Sequence, residues 1–168
     1  WFTHVGDGIT GVVICLLLLL FYNLGSGIVA LAGMGLCGIV SWLFKYQFFL
    51  DSDRPHHFFW GNKMIHYVEG VALNTENSFP SGHSLTAFFT FTFLALLSFS
   101  RPVLRQFALA LFAILAAYSR VYLAQHFIGD IVMGASMGIL LALVCYKLYT
   151  KSKNIRVFNQ SIVHLLRK

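Results

Sequence analysis

Between Asp7 and Lys45 the chain runs for 37 residues without a formal charge. One helix of that length would rise about 55 Å, nearly twice the roughly 30 Å hydrocarbon core of a bilayer. The run must therefore turn. Residues 23–27, Asn-Leu-Gly-Ser-Gly, carry the strongest turn signal within it. This predicts two apolar spans, over 8–22 and 28–44. A second run of 24 uncharged residues lies between Glu76 and Arg101. Its Phe89-Thr90-Phe91-Thr92-Phe93 stretch alternates like a strand, but an isolated strand cannot satisfy its backbone in lipid. A span over 81–98 is expected instead. Two more follow, over 106–125 (continuing past Arg120) and 131–149.

The expected fold is an all-α polytopic transmembrane helical bundle, one domain over 1–168 with five spans and a tail over 150–168. Composition agrees: 58% of residues are hydrophobic and 11% charged, where a soluble domain carries about a quarter charged. That excludes a disordered chain, a coiled coil and an ordinary cytosolic enzyme. Cys15, Cys37 and Cys145 lie in apolar runs and read as buried fillers, with neither disulfide nor metal spacing.

The net charge of +6 would suggest nucleic acid in a soluble protein. Here it reads as topology, and no nucleic-acid partner is expected. Alternating loops place eight basic and no acidic residues on one side, and four basic with all six acidic residues on the other. The first side is then cytoplasmic. Five spans with the tail inside put Trp1 outside, and a sixth, first span is expected upstream. Trp60, Tyr67 and Tyr122 read as outer anchors and Tyr22, Tyr146 and Tyr149 as inner ones. Ile155, Phe158, Ile162, Leu165 and Leu166 recur at helical spacing, which suits either an interfacial helix or a frayed basic tail. The only glycosylation sequon, Asn159-Gln160-Ser161, falls on the inner side. A bacterial inner membrane is expected, with the site on its periplasmic face.

Three polar segments share that outer side: Lys45 to Arg54-Pro55; Pro80-Ser81-Gly82-His83; and Ser119-Arg120 with His126 and Asp130. Each has a bland reading. Lys45 can snorkel, Ser81 can be an N-cap, Arg120 and Asp130 can pair between spans, and His126 can satisfy a carbonyl. Together they make coherent chemistry. Lys45, Arg54 and Arg120 supply three cations for phosphate oxygens. A helix starting near Ser81 turns free N–H groups toward an anion, and Gly82 allows close approach. His126 and Asp130, four apart, share a helical face. Asp130 can fix one ring nitrogen and leave the other to attack phosphorus. His83 can protonate the leaving oxygen. No metal and no other cofactor is expected, and Asp51 with Asp53 reads as a solvated loop. His4, His56, His57, His66 and His164 read as bystanders. Phe58, Phe59, Trp60, Tyr67 and Val71, in the long segment 51–79, read as a lid or as interfacial anchors, alongside short helices.

These motifs resemble those of the type-2 phosphatidic acid phosphatase family, integral-membrane lipid phosphatases related to vanadium haloperoxidases. Residues 80–83 read PSGH, and Ser119-Arg120-x5-His126-x3-Asp130 is a specific pattern. Lys45 with Arg54-Pro55 resembles the first motif, Lys-x6-Arg-Pro. It departs from it, because eight residues intervene and Gln47 stands at the family spacing. Lys45 is assigned because the site needs a cation. The resemblance implies a metal-independent phosphatase acting on a lipid phosphate or pyrophosphate, such as phosphatidic acid, phosphatidylglycerophosphate or polyprenyl pyrophosphate. It implies His126 as nucleophile through a phosphohistidine, Asp130 orienting it and His83 as acid/base. Lys45, Arg54, Ser81, Gly82 and Arg120 would hold phosphate. A bell-shaped pH profile follows from the two histidines. Lipid phosphotransfer, and a catalytically silent anionic-lipid binding or transport protein, are the alternatives.

Overall fold

The computed structural model describes residues 2–59, 67–68, 70–71, 74–98, 102–152 and 154–166. Trp1, the expected Trp60 anchor, His66, and the charges of Lys63, Glu69, Arg101, Lys153, Arg167 and Lys168 lie outside them; the side chain of Arg156 does too. The described elements are helical. Helix α1 spans Phe2–Val5, and α2 spans Gly8–Leu17 and runs on as a π turn over Leu18–Tyr22. Helix α3 spans Leu24–Leu43 with a second π turn at Phe44–Phe48, and α4 spans Pro55–Phe58. Then come α5 (Gly82–Leu97), α6 (Val103–Tyr122), α7 (Ile128–Ser152), a 3-10 turn (Arg156–Asn159) and α8 (Ile162–Leu166).

Among the described residues, three helices are long and apolar enough to cross a membrane: Leu24–Phe48, Val103–Tyr122 and Ile128–Ser152. The segments Gly8–Tyr22 and Gly82–Leu97 are apolar but shorter. Helix α5 rises only about 24 Å over its 16 residues. It is the axis of the bundle, packed against α3, α6 and α7. Leu85, Phe89 and Phe93 join Cys15, Cys37, Ala142 and Cys145 in one core. Ala87 and Phe91 meet Ala113 and Ala116 of α6 in a second. The three cysteines are buried and unpaired.

A close backbone contact between α5 and α7 positions the site. At Gly134 of α7 an added Cβ would sit 2.5 Å from the Ser81 carbonyl oxygen. Gly138, one turn on, lies equally close to the α5 backbone. Small residues four apart let two backbones approach. The approach is close enough that the Ser81 N–H donates to the Asp130 carbonyl at 3.0 Å.

Three expectations change. The first turn is made by Asn23 alone. Its extended backbone and its side chain, accepting from the Ser26 N–H at 2.8 Å, start α3 four residues early. Gly27 lies inside the helix, where a side chain would collide with the Leu19 backbone. Tyr149 is not an interfacial anchor: it is 3% exposed, packs edge-on to Phe93 and accepts from the Asn23 side-chain amide at 3.1 Å. The tail is not one amphipathic helix. It breaks into two short turns and folds back on α3, with the Leu24 N–H donating to the Gln160 carbonyl at 2.9 Å.

Candidate active site

All eight residues expected at the site gather at one end of the bundle, where α3, α6 and the N-termini of α5 and α7 meet. Asp130 occupies the first turn of α7 and is buried. Its Oδ2 accepts from the Phe127 N–H at 2.9 Å, from the Ser78 hydroxyl, and from His126 Nδ1 at 3.3 Å. His126 is 2% exposed, held in the tight α6–α7 connection by its N–H to the Arg120 carbonyl. With Nδ1 turned to the carboxylate, Nε2 is the nitrogen aimed elsewhere. The imidazole pKa is pushed down to about 4. Burial is the main cause; the charges of Arg54 and Lys45 add to it, and Asp130 opposes it. At neutral pH this histidine is therefore an unprotonated base.

Lys45 sits in the π turn that ends α3. It shares a cavity of about 260 Å³ with Gly82, His83, Gly38, Ser41 and Trp42. It also lines a second, polar cavity of about 300 Å³ with Arg54, Asn74, Thr75, Glu76 and Asn77. Gln47, at the family's usual spacing, is exposed. The π turn and the loop before Arg54 absorb the two extra residues and leave Lys45 facing inward.

Arg54 is buried, and protein oxygens use most of its guanidinium. Nε donates to the Glu76 carbonyl at 2.8 Å, Nη1 to the Gln125 carbonyl and side chain at 3.2 and 3.1 Å, and Nη2 to the Asn77 carbonyl at 3.4 Å. Burial pulls its pKa below the ordinary value, and Asp130 opposes that shift. Four of its five N–H groups are spent within the protein, so Arg54 acts chiefly as a fixed positive charge rather than an open fork. Ser81 is also committed. It caps α5 by accepting from the Ser84 N–H at 3.3 Å and the Ser84 hydroxyl at 3.0 Å. Gly82 follows it as the first helical residue; an added Cβ would stand 3.2 Å from the Ser41 hydroxyl. Arg120 and Asp130 form no ion pair. Arg120 Nη1 instead donates to Thr3 Oγ1 at 2.8 Å, and its buried Nε meets no acceptor among the described residues. That Nε is the donor a ligand would claim.

Three contributors were invisible in the sequence. Ser78, 1% exposed, binds Asp130 and stands 3.4 Å from His126 Nδ1. Thr3 braces Arg120. Gly6 lies against the His83 backbone, its carbonyl accepting from Thr86 Oγ1 at 2.6 Å. None belongs to a chemical motif; only Ser78, two residues before Pro80, was near one. Of the bystanders, His57 pairs with Asp53 at 2.7 Å on the exposed loop. Phe58 and Phe59 pack with Phe127, next to His126. Among the described residues no three His, Cys, Asp or Glu side chains cluster as metal ligands.

The comparisons with known proteins agree with this geometry. A family model for the PAP2 superfamily matches residues 26–154, most of the chain and all three motifs. The chain belongs to the PAP2 superfamily. The crystal structure of LpxE from Aquifex aeolicus superposes on it with a TM-score of 0.66 at 28% identity, covering 87% of this chain and 81% of that one. No curated protein is matched by the sequence. A PAP2 fold with this site supports a membrane lipid phosphatase, a hydrolase.

Proposed function

We propose that this PAP2 protein hydrolyses a lipid phosphate or pyrophosphate monoester through a phosphohistidine. The observation that carries the reading is the bond between His126 Nδ1 and the buried Asp130 carboxylate beside three cations. Nε2 attacks phosphorus, and the bond to the lipid oxygen breaks. His83 delivers a proton to that oxygen, so the lipid alcohol leaves from a phosphate monoester and the lipid monophosphate leaves from a pyrophosphate. Water then attacks the phosphoryl group, gives its proton to His83 and returns His126 unmodified. Lys45, Arg54 and Arg120 stabilise the charge on the pentavalent phosphorus, where electrostatic preorganisation has its largest effect. The N–H groups of the first turn of α5, beyond capped Ser84, add to that field. The polar cavity beside Lys45 favours water as acceptor over a second lipid, and so hydrolysis over phosphotransfer.

The charge bias along the chain supports a cytoplasmic tail with the site on the opposite side, and the sequon Asn159-Gln160-Ser161 on the tail side suits a bacterial inner membrane. Purified protein should release phosphate from phosphatidic acid, phosphatidylglycerophosphate or polyprenyl pyrophosphate with chelator present. Quenching during turnover should trap an acid-labile, base-stable phosphoryl group on His126. Full activity in His126→Ala would refute the mechanism.

A further inference from the structure

The chain just before α2 forms a wall of the site that no motif covers. Gly6 is buried, and a Cβ added there would stand 3.1 Å from the His83 carbonyl oxygen and 3.5 Å from the His83 Cβ. Its own carbonyl accepts from Thr86 Oγ1 at 2.6 Å. Thr86 lies three residues beyond His83, on the same face of α5. Earlier in the same segment, Thr3 Oγ1 accepts from Arg120 at 2.8 Å. Asp7 follows Gly6 directly and is half-buried. Its neighbours Gly6 and Gly8 both line the cavity that holds His83 and Lys45. Asp7 is the N-cap of α2, yet its carboxylate is lightly used: it accepts from the Ile9 N–H at 3.4 Å and, among the described residues, forms no ion pair. Its charge reaches two groups of the site through space, His83 and Arg120. The other charged or titratable groups that face His83 are Arg120 from α6, Lys45 from the turn ending α3, and His126 from the α6–α7 connection. Both cations oppose an imidazolium there, and among the described residues Asp7 is the carboxylate that favours one.

We propose that Asp7 is the partner carboxylate of His83, as Asp130 is of His126, and that it keeps the proton-donating ring charged. The proposal rests on the phosphatase reading above. In that reading His126 must be neutral to attack, and its bond to Asp130 fixes its tautomer. His83 has the opposite need. It must carry a proton into the first step and recover one from water in the second. Lys45 and Arg120 make that proton costly, and a carboxylate pinned nearby by the Gly6–Thr86 bond offsets the cost. Asp7 acts through His83 and is therefore a positioning residue.

Asp7→Asn separates charge from fold, because asparagine caps a helix about as well as aspartate. The assay is phosphate release from dioleoyl phosphatidic acid by the full chain in mixed micelles, from about pH 5 to about pH 9. In Asp7→Asn the basic limb of kcat should move to lower pH by at least about half a unit. KM should be no higher than in wild type, since Arg120 loses a competing carboxylate. Asp7→Ala should show the same shift together with a lower unfolding midpoint from the lost cap. Asp51→Asn removes an exposed carboxylate of the following loop and should leave the limb in place. Should Asp7→Asn fail to fold, Asp7→Ser, which also caps without charge, supplies the same readout. A basic limb that stays put in Asp7→Asn, or that moves equally in Asp51→Asn, overturns the proposal. So does a wild type with no basic limb, which would remove the acid role of His83. Wild-type protein that releases phosphate from neither this lipid nor p-nitrophenyl phosphate would instead sink the phosphatase reading beneath it.

Discussion

Replacing Ser78 by alanine removes one hydroxyl and should cost most of a charge-assisted hydrogen bond. Ser78 is held by its own N–H to the Ser52 carbonyl at 3.0 Å, and the next N–H, of Phe79, binds the Ser52 hydroxyl at 3.1 Å. Its Oγ donates to Asp130 Oδ2, the oxygen that also faces His126. Hydrogen bonds to charged groups are worth about 1.5–3 kcal/mol. At about 1.36 kcal/mol per decade of rate, the full loss corresponds to about 10- to 150-fold in kcat. The loss should appear in kcat rather than KM, because Ser78 has no contact with Lys45, Arg54 or Arg120 among the described bonds. Phosphate release from phosphatidic acid at saturating substrate measures it. A cycle with Asp130→Asn separates positioning from general damage: once the carboxylate is gone, Ser78→Ala should cost little more. A Ser78→Ala enzyme within about twofold of wild type, or effects that simply add in the double variant, would refute the reasoning.

Thr3→Val should raise KM about tenfold by releasing Arg120 from its acceptor, and Thr3→Ser should restore it; steady-state kinetics on one lipid phosphate checks both. Because the imidazole of His126 is held near 4, lowering the pH through about 4 should protonate it and, on the proposed mechanism, abolish kcat/KM. Arg54→Met should move that acid limb upward, since it removes a charge that disfavours the imidazolium; a limb left at the ordinary histidine value in the wild type would contradict the burial argument. Asn23→Ala should cost about 1 kcal/mol for the lost cap, read as a lower unfolding midpoint in detergent with phosphatase chemistry intact.

The chemistry-bearing residues were legible because membranes make polar side chains expensive. His83, Arg120, His126 and Asp130 stood out against apolar runs, and their spacings fixed which could share a face. Lys45 was harder. The sequence spacing favoured Gln47, and only the π turn at Phe44–Phe48 shows why the lysine faces inward and the glutamine out. Arg54 and Ser81 were read as ligands, but their donors and acceptors are largely engaged within the protein, which no linear pattern reveals. The turn at Asn23 was placed correctly and mechanised wrongly, because glycines that looked like turn formers serve close packing.

What the sequence determined by itself was the class of fold and which polar residues gather at the candidate site. Thirty-seven uncharged residues cannot be one helix in a bilayer, and a histidine four residues before an aspartate presents both on one face. What only the tertiary structure decided was the support around those groups: Ser78 on the carboxylate, Thr3 on the guanidinium, and Gly6 against the His83 backbone. The physical reason is range. Periodicity and charge cost act within a helix or across one span, whereas these partners come from segments up to 117 positions apart in the chain. Close passage of α7 across α5 at Gly134 and Gly138 sets the register between them, and that is a property of packing alone.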